Sequence, residues 1–354
     1  MPAPSRTVLV TGGAGFVGAN FVLDAVLRRG LRVVNLDRLT YAGNLDNLEE
    51  LADHANHVFV HGDVCDRSLL RHLLSEHRPA AIVHLAAETH VDRSIDSPGE
   101  FVRTNVVGTF ELLEAARAHL GTLPPSEAGA FRVLLVSTDE VFGSLGEPGF
   151  FTESSPLAPS SPYAASKASA DHLARAYFRT YGLPVLTTNC SNNYGRFQFP
   201  EKLVPVMILN ALEGRPLPVY GDGGHVRDWL HVQDHVEALH AVLDGGRTGE
   251  TYVVGGRNAR TNLEVVHMVC AALDAQIPRS TGSYRDLVTF VEDRPGHDRR
   301  YAIDPSKIER ELGWRASHTP EDGFRETVRW YLENRAWCAR ITEGRYRLER
   351  MGKP

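Results

Sequence analysis

The run Thr7-Val8-Leu9-Val10-Thr11-Gly12-Gly13-Ala14-Gly15-Phe16-Val17-Gly18 decides the fold. Its first residues are β-branched or apolar and read as a buried strand. Its glycines satisfy both G-x-G-x-x-G and the looser G-x-x-G-x-x-G spacing immediately afterwards, and Phe16 opens a helical pattern. Glycine is required there because the backbone must turn tightly and approach a pyrophosphate, whose charge then sits against helix N-terminal amides. A bare glycine pattern is often just a turn; strand before and helix after make this one a dinucleotide site.

The same alternation continues outward. Short apolar runs at Val8 to Val10, Arg32 to Leu36, Val58 to Val60, Ile82 to Leu85, Val133 to Val136 and Val185 to Thr188 are separated by longer stretches. Of these, Phe16 to Arg28, Phe101 to Ala118 and Tyr163 to Tyr181 carry apolar residues at helical spacing. Strands joined by crossover helices make a Rossmann-type, doubly wound parallel α/β sheet. The Gly, Pro and Ser-rich segment Gly121 to Ala130 reads as a surface loop. After Asn189 the pattern becomes irregular, with turn signals at Gly195, Gly214, Gly221 to Gly224 and Gly255-Gly256. The expected division is residues 1–189 as the nucleotide-binding domain with the reactive residues, and 190–354 as a smaller mixed α/β substrate domain, some of whose segments return to the first.

Asp37 ends the second strand about 20 residues past the glycines, where a carboxylate accepts hydrogen bonds from the adenosine ribose hydroxyls. A 2'-phosphate would meet a like charge there, so the expected cofactor is NAD rather than NADP, although Arg38 is adjacent. Asp63 closes the third strand and is placed at the adenine; a strand-end turn is the plainer reading of it.

In Ser160-Ser161-Pro162-Tyr163, Ser161 has the character of an N-cap and Pro162 of the first helical position. Tyr163 and Lys167 then share a helical face. A tyrosine acts as a base near neutrality only if its pKa drops from about 10 toward 7, roughly 4 kcal/mol of phenolate stabilisation. A cation at about 4 Å supplies that much at an effective dielectric of about 20, and Lys167, aided by the positive charge of the oxidised nicotinamide, is the expected source. The fifth strand runs into Thr138-Asp139-Glu140 at the carboxyl edge, where open parallel sheets bind ligands. Neighbouring carboxylates push each other's pKa values apart, leaving one acid and one base. Adjacent strand residues face opposite ways, so the two converge only if the chain leaves the strand at this point.

Together these residues resemble the extended short-chain dehydrogenase/reductase family, and within it the sugar-nucleotide dehydratases, over nearly the whole chain. The shared motifs are Thr11 to Phe16, Asp37 to Asn44, Leu85 to Asp92, Ser137 to Val141, Tyr163 to Lys167, Asn192 to Gly195 and Asp293 to Asp298. The resemblance implies oxidation of a nucleotide-activated glucose at C4, loss of water across C5 and C6, and hydride return to C6. Tightly bound NAD is recycled in that scheme. Thr138 would bind the 4-hydroxyl, Asp139 protonate the leaving 6-hydroxyl, Glu140 take the C5 proton, and Tyr163 with Lys167 run the redox step. Thr89 and Asn192 would touch the sugar. Lys202, Leu203, Pro218, Val219, Tyr220, Arg227, Asn262, Asp293, Arg294 and His297 would hold the nucleotide and its diphosphate, with thymidine favoured over uridine. Gly12, Gly15, Phe16, Val17, Gly18, Asp37, Asp63, Val64, Leu85, Ala86, Ala87, Thr104 and Asn193 would join Tyr163 and Lys167 at the cofactor. Phe142 stands where tyrosine is common, and Arg196, expected near the sugar, where proline is usual. A 4-epimerase or decarboxylase of the same family shares the glycines and the Tyr/Lys pair without needing Asp139 and Glu140 as a couple. A non-catalytic NAD-sensing protein would not need the pair at all. Relatives associate through two long helices, so a homodimer is expected through Phe101 to Ala118 and Tyr163 to Tyr181.

Bulk properties agree with this reading. A chain of 354 residues with 42% hydrophobic content can bury a large core, and a net charge of -6 argues against a nucleic-acid partner. Met1 to Arg6 lead straight into the first strand, so no secretion signal is expected, and no apolar run approaches a bilayer span. Cys65, Cys190, Cys270 and Cys338 are scattered and read as reduced packing residues, which fits the cytoplasm. Sixteen histidines include no recognisable metal motif, and no required metal is expected.

Overall fold

A computed structural model of the chain describes residues 6–146, 149–293 and 297–344. The first lobe is a parallel sheet built from β1 (Thr7–Thr11), β2 (Arg32–Asp37), β3 (His57–His61), β4 (Ala81–His84), β5 (Arg132–Thr138) and β6 (Val185–Cys190). All six lie on the apolar runs of the sequence. β7 (Asn192–Tyr194), β8 (Leu217–Tyr220), β9 (Val226–His231), β10 (Thr251–Val254), β11 (Ala259–Thr261) and β12 (Val288–Val291) follow. β10 returns to pair with β6, so the large sheet has seven strands in the order β10-β6-β5-β4-β1-β2-β3. The smaller lobe holds a mixed sheet, β11-β9-β7, and a two-stranded one, β12-β8.

The order reverses beside β1: β2 lies on one side of it and β4 on the other, Leu9 pairing with Val34 and with Ile82. That switch point opens a crevice at the carboxyl ends. Both sheet faces are covered, so the strands read as continuous apolar runs rather than alternating ones. Val8, Val10, Val33 and Val83 pack on one side with Phe21 and Val22, while Leu9, Val34, Ile82 and Val133 pack on the other with Leu112 and Ala170.

The helices track their sequence signals, with three adjustments. Phe16–Leu23 widens into a π-helical turn, Asp24–Arg28, at the end expected. The Phe101 to Ala118 helix is observed as Pro98–Phe101, a π-turn at Val102–Gly108, and Thr109–Leu120. The expected loop Gly121 to Ala130 contains a short helix, Pro125–Ala130, because Pro125 sits at its permissive first position. Pro162–Tyr181 begins as the sequence requires, with the Ser161 hydroxyl accepting from the Ala164 amide at 3.1 Å.

Candidate active site

A cavity of about 310 Å³ occupies the crevice and gathers residues from both lobes. Gly12, Gly15, Phe16, Val17 and Gly18 form its floor, with Asp37, Asp63 and Val64 at one end. Leu85, Ala86, Ala87, Thr89 and Thr104 line its side; Thr138, Asp139, Glu140, Tyr163 and Lys167 face them; Asn192, Asn193 and Lys202 complete it.

The glycines are there for steric reasons. Gly12 has φ +77°, and a Cβ on it would lie 2.5 Å from the Ala86 amide nitrogen. A Cβ on Gly18 would collide with the Gly12 carbonyl oxygen, so the helix could not pack over the turn. At Gly15 the added atom would meet nothing closer than the Gly12 oxygen at 3.4 Å, which leaves that face clear for a ligand backbone. Asp37 also does more than its position predicts. Its two oxygens accept from the Ala14 amide at 2.9 Å and the Leu39 amide at 2.8 Å, latching the glycine turn to the end of β2. Burial pushes its carboxyl up, and those two amide bonds oppose the rise. Arg38 lies 3.4 Å from Asp63, so the guanidinium beside the ribose position is engaged. Asp63 also accepts from the Cys65 amide at 2.9 Å, the strand-end turn that its plainer reading predicts. The turn fits a dinucleotide: an open glycine face toward the cavity, and a carboxylate where a ribose would lie.

β5 ends at Thr138 and the chain turns at once into a one-turn 3₁₀ helix, Asp139–Phe142. The chain therefore leaves the strand where convergence of the two carboxylates requires it. Thr138 caps the turn, its hydroxyl accepting from the Glu140 amide at 3.3 Å, and lies 3.5 Å from Asp139 Oδ1. Asp139 is 1% exposed, and its other oxygen has no hydrogen-bond partner. Burial, then the charges of Glu140 and Asp228, push its carboxyl well above the usual range.

Tyr163 is buried in the same wall of the cavity. Burial, with Glu140 next, pushes its phenol well above 10, while the Thr138 hydroxyl opposes the rise through a hydrogen bond. The Lys167 ammonium donates to the Val136 carbonyl at 2.8 Å. Burial lowers Lys167, and Asp171 opposes that fall.

Several supporting residues carry no motif. Asn105, buried in the π-turn, brackets Glu88 by accepting from its amide at 2.8 Å and donating to its carbonyl at 3.0 Å, and also reaches Ser166 at 2.8 Å. Asn189 donates to the Thr138 carbonyl at 3.1 Å and to Asp171 at 2.9 Å. Glu201, in the cavity wall, accepts from the Tyr41 hydroxyl at 2.9 Å. Asp171 alone had a usable signal, its place one turn beyond Lys167. Cys190, read as a packing residue, lines the cavity, and burial pushes its thiol up to about 12.

Apart from Lys202, the remaining described residues predicted for substrate lie outside this cavity, on the second lobe. Lys202 is joined to the first group by donating to the Thr89 carbonyl at 2.9 Å, and Leu203 opens the following helix. Pro218, Val219 and Tyr220 form β8; Val219 is 1% exposed, its side chain packed in the core. Arg227 reaches the Asp298 carbonyl at 2.8 Å and covers the Tyr301 ring. Asn262 begins a helix. Asp293 and His297 meet at 2.6 Å, with His225 stacked on His297; Arg294 is outside the described residues. Arg196 corrects an expectation. It donates to Asn20 Oδ1 at 2.7 Å and lines a different cleft, so it does not border this cavity. Phe142 is buried against Phe151.

Comparison with known proteins agrees with this geometry. The model of the GDP-mannose 4,6 dehydratase family matches residues 9–327. A dTDP-glucose 4,6-dehydratase of Xanthomonas campestris is 60% identical over 347 residues, covering 98% of this chain and 99% of the relative. The crystal structure of a dTDP-glucose 4,6-dehydratase from Streptomyces venezuelae, with NAD bound, is 48% identical, with TM-score 0.85 over 94% of this chain and 98% of that one. Another from Bacillus anthracis, in complex with NAD, is 47% identical, with TM-score 0.84 over 94% and 98%.

Proposed function

The chain belongs to the GDP-mannose 4,6-dehydratase family, and from that premise we propose that it removes water from dTDP-glucose, using NAD, to give the 4-keto-6-deoxy sugar nucleotide. The observation that carries this reading is Asp139, a buried carboxyl with one unpartnered oxygen, held toward its neutral form by burial and by Glu140 next to it at the mouth of β5. Oxidation and epimerisation at C4 need no such couple.

Gly12 to Gly18, Asp37 and Asp63 would hold the dinucleotide, with Thr104 and Asn193 at its flank. When bound, NAD supplies a reversible hydride acceptor for C4 and donor for C6. The chain's own residues move protons. A hexose C5 hydrogen is not acidic until C4 is a ketone, so proton removal from the 4-hydroxyl comes first. Tyr163 takes that proton, and the Thr138 hydroxyl stabilises its phenolate and positions O4. Glu140 then removes the C5 proton while Asp139 delivers its proton to the departing 6-hydroxyl, and a proton returns to C5 when the double bond is reduced at C6. Lys167 fixes the helix to β5 through the Val136 carbonyl and supplies positive charge behind the tyrosine. Thr89, Asn192 and Lys202 would orient the sugar; β8, Arg227, Asn262 and the Asp293 to His297 segment would take the thymidine diphosphate. In this reading residues 190–354 are chiefly the substrate lobe.

The functional unit is a homodimer in this proposal. Val102, Val107, Phe110 and Tyr181 are 36–52% exposed on the two long helices expected to pair, a set of large apolar side chains that a partner would cover. Among the described residues no helix is long and apolar enough to cross a membrane; we assign the enzyme to the cytoplasm.

Parallel turnover of dTDP-, UDP-, GDP- and CDP-glucose with NAD, scoring products by mass, tests the reading. Loss of water from the dTDP sugar is expected. Isomerised product of unchanged mass would make the chain an epimerase.

A further inference from the structure

We propose a divalent transition-cation site, of the Zn²⁺ class, formed by His231, His318 and Glu326 in a cleft away from the proposed active site. Ligand atoms of these three lie within 4.8 Å of one another. They open onto a cleft of about 780 Å³ that shares no lining residue with the active-site cavity.

The chemistry of the group points to a cation. Imidazole nitrogens with one carboxylate oxygen are ligands that zinc and its neighbours favour. His318 Nδ1 lies 3.0 Å from Asp234 Oδ1, which leaves Nε2 as the ligand nitrogen, 3.8 Å from Glu326 Oε2. Two metal bonds of about 2 Å each span that gap. A carboxylate behind a ligating imidazole is also the usual outer partner, fixing its tautomer and raising its basicity. His231 is the second observation. It is 4% exposed, its Nδ1 has no hydrogen-bond partner, and its ring lies 4.0 Å from that of His318. The cleft is lined by Asp24, Glu50, Asp234, Glu237, Glu326 and Glu333 against Arg28, Arg196 and Arg329, a balance that favours positive charge.

The ligands come from different parts of the fold. His231 ends β9, and Asp234 lies in the first turn of the helix Val232–Gly245, which packs on β5 and β6 of the large sheet. Glu326 lies on Pro320–Glu333, which packs on Asn262–Gln276 in the second lobe. A bound cation would tie the end of β9 to the helix Pro320–Glu333 without entering the reaction, and the proposal stands whether or not the dehydration reading does.

Calorimetric titration of the full chain with zinc chloride in a non-chelating buffer tests it. One saturable site is expected, with a dissociation constant below about 10 µM. Glu326 is more than half exposed, so Glu326→Gln should fold as the parent does, and it should weaken binding at least about tenfold. Zinc should raise the thermal midpoint of the parent and not of Glu326→Gln. His297→Gln, in the other histidine cluster, should bind zinc as the parent does. Absence of saturable binding, or equal affinity in Glu326→Gln, overturns the proposal; so does loss of binding in His297→Gln.

Discussion

Lys167 and Asp171 stand one turn apart on the inner face of the Pro162–Tyr181 helix, both buried, and each supports the other's charge. Burial raises Asp171 to about 6, against hydrogen bonding from Asn189 and the charge of Lys167. Burial lowers Lys167, and Asp171 is the first group that opposes the fall. Asp171 is thus a positioning residue, acting on the tyrosine through the lysine and on Thr138 through Asn189.

Replacing it by asparagine keeps the shape and removes the charge. In Asp171→Asn the Lys167 ammonium loses its support, so the alkaline limb of C4 oxidation should move to lower pH. Single-turnover pH profiles check this, with circular dichroism to confirm the fold. An unmoved limb would separate Asp171 from the redox step.

Tyr163→Phe should abolish NADH formation in a single turnover while leaving NAD and sugar nucleotide bound. The phenol is held above its ordinary value by burial and Glu140, so in the parent the same step should quicken as pH rises from neutrality. Near-normal NADH formation in the variant would defeat the assignment.

Glu140→Gln should still oxidise C4 and transiently accumulate NADH, yet fail to exchange the C5 hydrogen with heavy water. Mass spectrometry of recovered substrate reads the exchange. Unimpaired exchange removes Glu140 from the role of base.

Asp24 provides a stability prediction remote from the cavity. Burial alone would raise its carboxyl, but hydrogen bonds from His240 and Arg29 prevail and hold it at about 2, below the ordinary 3.8. A folded pKa below the unfolded one contributes stability that is complete above 3.8 and lost as pH falls through 2. The difference is worth about 2 kcal/mol. Asp24→Asn should therefore unfold at lower urea at pH 7, and the gap from the parent should close as pH approaches 2.

The parallel sheet was legible because buried strands write continuous apolar runs and the glycine turn fixes where the first crossover begins. β10 was not named because Thr251–Val254 is four residues long and lies among turn signals of the second lobe. Motif residues of the site were legible for a similar reason: each sits at a strand end or helix start, where spacing alone locates it. Asn105, Asn189 and Glu201 were not, since each acts through contacts with residues distant in sequence. Spacing places Lys167 near Tyr163 but does not show that its ammonium also binds the Val136 carbonyl. Arg196 was misplaced because adjacency in sequence to Asn192-Asn193 does not set the direction of a side chain that leaves the turn toward Asn20.

The return of β10 to β6 bears on synthesis. Six strands have been translated once Cys190 is made, but β6 then has an open edge until Thr251 to Val254 emerge and pair with it. For that interval the nascent chain exposes unpaired amides and carbonyls on an apolar strand, a template for pairing with a neighbouring chain. A fragment ending at residue 189 would keep that edge permanently, so the nucleotide-binding half is a poor unit to express alone, and the second lobe is the nascent sheet's guard against aggregation.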